Sequence, residues 1–185
     1  MKKFATLAFA LAAAIAIPSA APADLPQGQI APNFTTAIAL KGVEKTFNLK
    51  AALRNGPVVL YFYPKSFTDG CTIEAHAFAE ATKDFKAAGA TVVGLSADTI
   101  EVQKQFSRKD CRDKFAVGVA TPAIIAAYDV HLKKADGSLT GISSRTSYVI
   151  GRDGKVKLAF SDMNPNDHVR QTLATVRALK AAKRR

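Results

Sequence analysis

Cysteine occurs at two positions of this chain, 71 and 111, and the first lies in a run with an evident physical logic. The run reads Pro57-Val-Val-Leu-Tyr-Phe-Tyr-Pro-Lys-Ser-Phe-Thr-Asp-Gly-Cys-Thr-Ile-Glu-Ala-His76. Val58 to Tyr63 is apolar, β-branched and aromatic, the composition of a buried strand. Pro64 ends it, a polar turn runs to Asp69-Gly70, and Cys71 to Phe85 has the composition of a helix. Cys71 is therefore expected in the first turn of a helix, at a strand-to-helix corner. Free N–H groups and the positive end of the helix dipole favour a thiolate there, and the thiolate is the nucleophilic form of cysteine. The competing reading is an inert buried thiol, because cysteine is among the most frequently buried residues.

The elements that must position this sulfur alternate along the chain. Phe34 to Leu40 and Lys45 to Asn48 predict a hairpin around Gly42, and Leu49 to Arg54 a short helix stopped by Asn55-Gly56-Pro57. After the Cys71 helix, capped by Ala88-Gly89, Ala90 to Ser96 predicts a second buried strand. Thr99 to Asp110 predicts a helix with Val102 and Phe106 on one face, followed by a short strand at Phe115 to Val119 and a short helix at Pro122 to Tyr128. Ser147 to Gly151 and Lys155 to Phe160 predict two strands joined at Arg152-Asp153-Gly154, and Asn166 to Lys180 a closing helix. This order predicts an α/β domain, a central mixed sheet with helices on both faces. Sheets of that kind present reactive residues at strand-to-helix corners.

The first residues are expected to be a processing signal. Met1-Lys2-Lys3 is basic, Phe4 to Ile17 is uncharged and mostly apolar, Pro18 breaks the run, and Ala21-Pro22-Ala23 fits an A-x-A cleavage pattern. The apolar run is short for a bilayer span. The expectation is a signal peptide over residues 1–23, cleavage near Ala23, and one mature domain over residues 24–185 with no stable membrane insertion afterwards. The expected compartment is the periplasm, which permits disulfides. The formal net charge is +11, concentrated in part in the tail Lys180-Ala-Ala-Lys-Arg-Arg185. No aromatic residues interleave these basic ones as stacking platforms, so a solvated basic surface is preferred over nucleic-acid binding.

Pro64, Thr68 and Cys71 stand in a P-x-x-x-T-x-x-C arrangement. Here the sequence resembles the peroxiredoxins of the AhpC/TSA group, and is most similar to their Q-type (bacterioferritin-comigratory) branch. The resemblance runs from about Gly28 to the closing helix. It implies a thioredoxin-like fold and a thiol peroxidase in which Cys71 attacks the O–O bond of hydrogen peroxide or an organic hydroperoxide. It also implies roles for three supporting residues. Thr68 would offer its hydroxyl to the leaving oxygen, Pro64 would shield the sulfur and stiffen the loop, and Arg145 would supply a cation. Arg145 is assigned from Ser143-Ser-Arg-Thr-Ser-Tyr-Val-Ile150, which looks like the family segment that opens a late strand with arginine.

The chain departs from the Q-type pattern at His76, where many members carry a second cysteine. Related proteins sometimes place a resolving cysteine on the helix after the second strand, and Cys111 lies near the end of that helix. Resolution of Cys71 by Cys111 is therefore expected, with a free buried thiol as the alternative. Arg112 and Lys114 beside it would favour its thiolate, and Asp110 and Asp113 would oppose it. His76, His131 and His168 lack metal-ligand spacing, and no C-x-x-C, G-x-G-x-x-G or P-loop is present, so neither metal nor cofactor is expected. The expected partners are a peroxide and a thioredoxin-like dithiol reductant, and the expected assembly is a monomer or weak dimer. The rival readings are an exported thiol–disulfide oxidoreductase and a redox-sensing protein on the same fold. Lack of a C-x-x-C motif opposes the first of these.

Overall fold

The computed structural model of the chain describes residues 24–183, so the expected signal peptide lies outside the described residues. Two strands, β1 (Thr35–Leu40) and β2 (Val43–Asn48), open the fold as a hairpin. Both residues of the tight turn, Lys41 and Gly42, have positive φ, the backbone twist that a two-residue hairpin requires. A short helix α1 (Leu49–Leu53) follows, capped by the Asn48 side chain, which accepts from the Ala51 N–H at 2.9 Å. Then come β3 (Val58–Phe62), α2 (Asp69–Ala87), β4 (Thr91–Ser96), α3 (Ile100–Lys109), β5 (Ala116–Val119) and α4 (Pro122–Ala127). A small hairpin of β6 (His131–Lys133) and β7 (Leu139–Ser143) precedes β8 (Thr146–Ile150), β9 (Val156–Ser161), a 3₁₀ turn at Pro165–Asp167 and the closing helix α5 (His168–Ala182).

Seven strands form one mixed sheet in the order β2-β1-β5-β4-β3-β8-β9. The central strands β3, β4 and β5 are parallel, and the strands outside them pair antiparallel. All five residues of β3 are buried, as its continuous apolar run requires of a strand covered on both faces. Period-two alternation sends Val58, Leu60 and Phe62 into one core layer with Leu49, Leu53, Ile124 and Ile125 of α1 and α4. Val59, Tyr61 and Tyr63 point the other way, into a layer with Phe78 and Phe85 of α2, Phe106 of α3 and Val176 of α5. Both cysteines belong to this second layer. Its packing is close: Tyr61 stacks on Phe78 with ring centroids 4.4 Å apart, and a Cβ at Gly94 would lie 2.5 Å from Tyr61 Cζ, so β4 needs glycine at that point.

The expected fold class holds: a central mixed sheet with helices on both faces. The β6–β7 hairpin is an element the sequence reading did not anticipate. It turns at Asp136-Gly137, where the Asp136 carboxylate accepts from the Ser138 N–H at 2.8 Å. Its strands are only partly buried, so they lack the hydrophobic alternation that would have marked them. Among the described residues, no helix is long and apolar enough to cross a membrane.

Candidate active site

The chain leaves β3 at its C-terminal end, turns through Pro64 to Phe67, and enters α2 with Thr68 at the N-cap and Cys71 as the third helical residue. The first helical hydrogen bond runs from the Thr72 N–H to the Thr68 carbonyl at 2.8 Å. The N–H groups of Gly70 and Cys71 precede it and stay outside the ladder, available to an anion. Cys71 is 2 % exposed, so the corner holds it almost entirely out of solvent. The larger surface hollows, about 650 Å³ beside Gly56, Gly89 and Gly151 and about 820 Å³ beside Ile30, Leu49 and Arg152, lie at the other end of β3. They are remote from the sulfur.

Arg145 immediately precedes β8, which pairs with β3, and this register carries its side chain to Cys71. Its Nη2 donates to Cys71 Sγ at 3.5 Å, Nη1 donates to Glu74 Oε2, and Nε donates to the Met163 carbonyl at 3.0 Å. The guanidinium lies against the first turn of α2, where a Cβ at Gly70 would stand 3.1 Å from Nη2. A cation in this position stabilises negative charge on the sulfur. The three bonds hold the planar fork in place, which a lysine ammonium could not reproduce.

Beneath Arg145 lies a polar cluster that sequence reasoning missed. Glu74 and His168 are both fully buried. Glu74 stands one helical turn after Cys71 on the buried face of α2, and helical periodicity alone could have flagged a carboxylate among Ala75, Phe78 and Ala79. His168 opens α5, with Nδ1 2.8 Å from Ser147 Oγ and 3.6 Å from Glu74 Oε1, and with Nε2 2.8 Å from the Asp162 carbonyl. Burial pushes the Glu74 carboxyl up to about 8, against the opposing pull of Arg145. Burial likewise pushes His168 below its ordinary value.

A stability consequence follows for Glu74. Its folded value lies above its ordinary 4.5, so its contribution is fully present below pH 4.5 and is lost as pH rises through about 8. Glu74→Gln abolishes this dependence. The stability of the variant relative to the parent is expected to rise between those two pH values, by at most about 1.4 kcal/mol per pH unit. Denaturant melts at pH 5 and pH 8 check it, and a constant difference would contradict the assignment.

The remaining residues singled out by the motif fall as follows. Pro64 lies two residues past the end of β3, half-buried, and leads into the corner. Thr68 is exposed, and its hydroxyl donates to the Lys65 carbonyl at 3.0 Å. It occupies the N-cap position without making a side-chain cap bond. Cys111 follows α3 and is fully buried and unpaired, as Cys71 is unpaired. Burial pushes the Cys111 thiol well up, and Asp110 adds to the effect. Arg112, expected to favour a Cys111 thiolate, instead reaches Glu80 of α2 at 3.3 Å. Among the described residues, no group of three or more histidine, cysteine or acidic side chains could hold a metal ion.

What this corner offers is a cationic cradle for a sulfur anion at the C-terminal end of a thioredoxin-like sheet, and it fits the class of thiol-dependent peroxidases. The chain belongs to the AhpC/TSA family, whose model matches residues 27–159. It is 32 % identical over 168 residues to the chloroplastic peroxiredoxin Q of Sedum lineare, covering 85 % of this chain and 81 % of that protein. Among solved structures it is similar to the peroxidoxin BcpB of Mycobacterium tuberculosis, with 31 % identity, a TM-score of 0.71, and coverage of 83 % of this chain and 97 % of that one. A Xanthomonas campestris peroxiredoxin Q matches with 27 % identity and a TM-score of 0.69, over 78 % of this chain and 90 % of the other. The protein is a peroxiredoxin and hence a thiol peroxidase.

Proposed function

We propose that the protein is an exported peroxidase that reduces hydrogen peroxide and organic hydroperoxides and recycles through an intramolecular disulfide. The observation that carries the first part is Arg145 Nη2 on Cys71 Sγ, in a helical turn with unpaired N–H groups. The Cys71 thiolate attacks one oxygen of the peroxide and the O–O bond breaks. The sulfur becomes a sulfenic acid, and the other oxygen leaves as an alkoxide or hydroxide and takes up a proton. Arg145 and the free N–H groups face the charge that develops. Phe67, Ile73 and Met163, all exposed, lie on the segments that frame the corner.

In the second part, Cys111 sulfur attacks the sulfenic sulfur, water leaves, and a Cys71–Cys111 disulfide forms. A thioredoxin-like dithiol then returns two electrons and two protons. Both sulfurs are buried, so the step requires local opening of the first turn of α2 and of the turn after α3. That second turn is suited to opening. Arg112 and Asp113 are consecutive non-glycine residues at φ 50° and 59°, a conformation that costs about 1–3 kcal/mol per residue. The turn is tied to α2 by two contacts, the half-buried His76 with the buried Asp110 at 3.4 Å and, at the surface, Arg112 with Glu80 at 3.3 Å.

Cys111→Ser is expected to leave the first oxidation of Cys71 intact, stall recycling by dithiols, and make Cys71 prone to overoxidation. Peptide mapping of the peroxide-treated protein decides between readings. A Cys71–Cys111 peptide pair supports the intramolecular disulfide. Its absence, together with normal recycling of the variant, would mean a one-cysteine enzyme. Export to the periplasm rests on the pattern of residues 1–23. Intact mass of the protein from its native compartment tests it, with cleavage after Ala23 as the expected result. The proposed assembly, a monomer or weak dimer, is checked by light scattering across a concentration series.

A further inference from the structure

Three ionisable groups share the space beneath the sulfur: Cys71 at 2 % exposure, Glu74 at 0 % and Arg145 at 4 %. Two of them can be anions, and one is a cation. In a site this dry, a thiolate and a carboxylate on one guanidinium would leave an uncompensated buried negative charge, which is strongly disfavoured. One anion must give way. Peroxide chemistry requires the sulfur to be the one that keeps its charge.

The histidine shows how this is arranged. His168 Nε2 faces the Asp162 carbonyl, which can only accept, so Nε2 carries the proton. In the neutral ring, which burial favours, Nδ1 is then a bare acceptor. It receives the Ser147 hydroxyl and faces Glu74 Oε1, a fully buried oxygen with no hydrogen-bond partner. The electron-rich Nδ1 lies 3.6 Å from Oε1, beyond hydrogen-bond reach, and disfavours negative charge on that oxygen, whereas a neutral carboxyl meets no such repulsion. We propose that His168 is a positioning residue that keeps Glu74 as a neutral carboxylic acid, so that the positive charge of Arg145 is directed to the Cys71 thiolate. Glu74 then holds the guanidinium through Oε2 as a neutral acceptor. The raised value of Glu74 and the lowered value of His168 agree in direction. The other titratable groups facing the pair are Arg145, Cys71 and Tyr61 and, on the His168 side, Asp162 and Asp167.

This inference rests on Cys71 being the peroxide-reactive thiol, and its test separates the two ideas. Second-order oxidation of Cys71 by hydrogen peroxide is followed by stopped flow from pH 6 to 10. The parent is expected to slow as Glu74 ionises, near pH 8. Glu74→Gln, which cannot ionise, should lack that decline. His168→Gln keeps a donor for the Asp162 carbonyl and lacks Nδ1. Its decline should move to lower pH, and a displacement of one unit makes it roughly fivefold slower than the parent at pH 8, the gap closing toward pH 6. A decline retained in Glu74→Gln, or unmoved in His168→Gln, overturns the proposal. NMR of the unmutated protein gives a readout that needs neither a folded variant nor activity. A neutral His168 protonated at Nε2 and a protonated Glu74 carboxyl at pH 7 are expected, and an ionised Glu74 at that pH overturns it.

Discussion

Cys71→Ser is expected to reduce peroxide turnover to the protein-free rate, a loss on the order of a thousandfold or more, because an alcohol is far less ionised and less nucleophilic than a thiol. The substitution nearly preserves volume, and the side chain sits in a helical turn whose hydrogen bonds are made by the backbone, so the fold should persist. Arg145 would still present its guanidinium to position 71. The second cysteine cannot take over: it is fully buried, and its thiol is pushed well up by burial and by Asp110, so little thiolate exists there. Peroxide consumption with a dithiol reductant gives the rate, and trapping of the sulfenic acid locates it. Turnover at the parent rate in the serine variant would refute the assignment of Cys71. A sulfenic acid trapped at Cys111 in the parent would move the chemistry to the other sulfur.

The parts of this site legible in the sequence are those carried by local order. Val58 to Phe62 could hardly be anything but a covered strand, and Pro64 and Asp69-Gly70 marked the corner, so the placement of Cys71 followed from neighbours in the chain. Helix α2 begins at Asp69, slightly before the residue expected, as befits an end whose first turn is a matter of capping. Arg145 needed the family resemblance, since an arginine before a strand has no local signature; the pairing of β8 with β3 brings it to the sulfur. The buried cluster was not legible at all beyond Glu74. His168 reaches Glu74 only because α5 packs against α2, a contact across more than ninety residues. Nothing in the composition of Asn166 to Lys180 distinguishes a histidine facing a carboxylate from one facing water. The hydroxyl of Thr68 was expected near the sulfur from the motif; here it donates to the Lys65 carbonyl, leaving its oxygen only as an acceptor.

Arg145→Ala is expected to slow the first oxidation of Cys71 by a hundredfold or more, or about 3 kcal/mol, the usual cost of losing one preorganised donor to developing charge. Arg145 has two tasks. It faces the sulfur through Nη2 and holds Glu74 through Nη1, so its removal also strips a buried carboxyl of its partner. Leaving a buried polar group without its hydrogen-bond partner commonly costs about 1–3 kcal/mol, enough to weaken a marginal domain and mimic a catalytic defect. The second variant separates these effects. In Arg145→Ala with Glu74→Gln neither side of the Glu74–Arg145 contact remains, so the stability of the double variant against the two singles measures what that contact contributes to the fold. The rate should not recover, because no cation faces the sulfur in either protein. Melting curves and stopped-flow oxidation of all four proteins in the cycle, the two singles, the double and the parent, measure the two tasks independently. Should the folded double variant oxidise at the parent rate, Arg145 would be a structural partner of Glu74, and the charge that activates Cys71 would have to come from the α2 N-terminus alone.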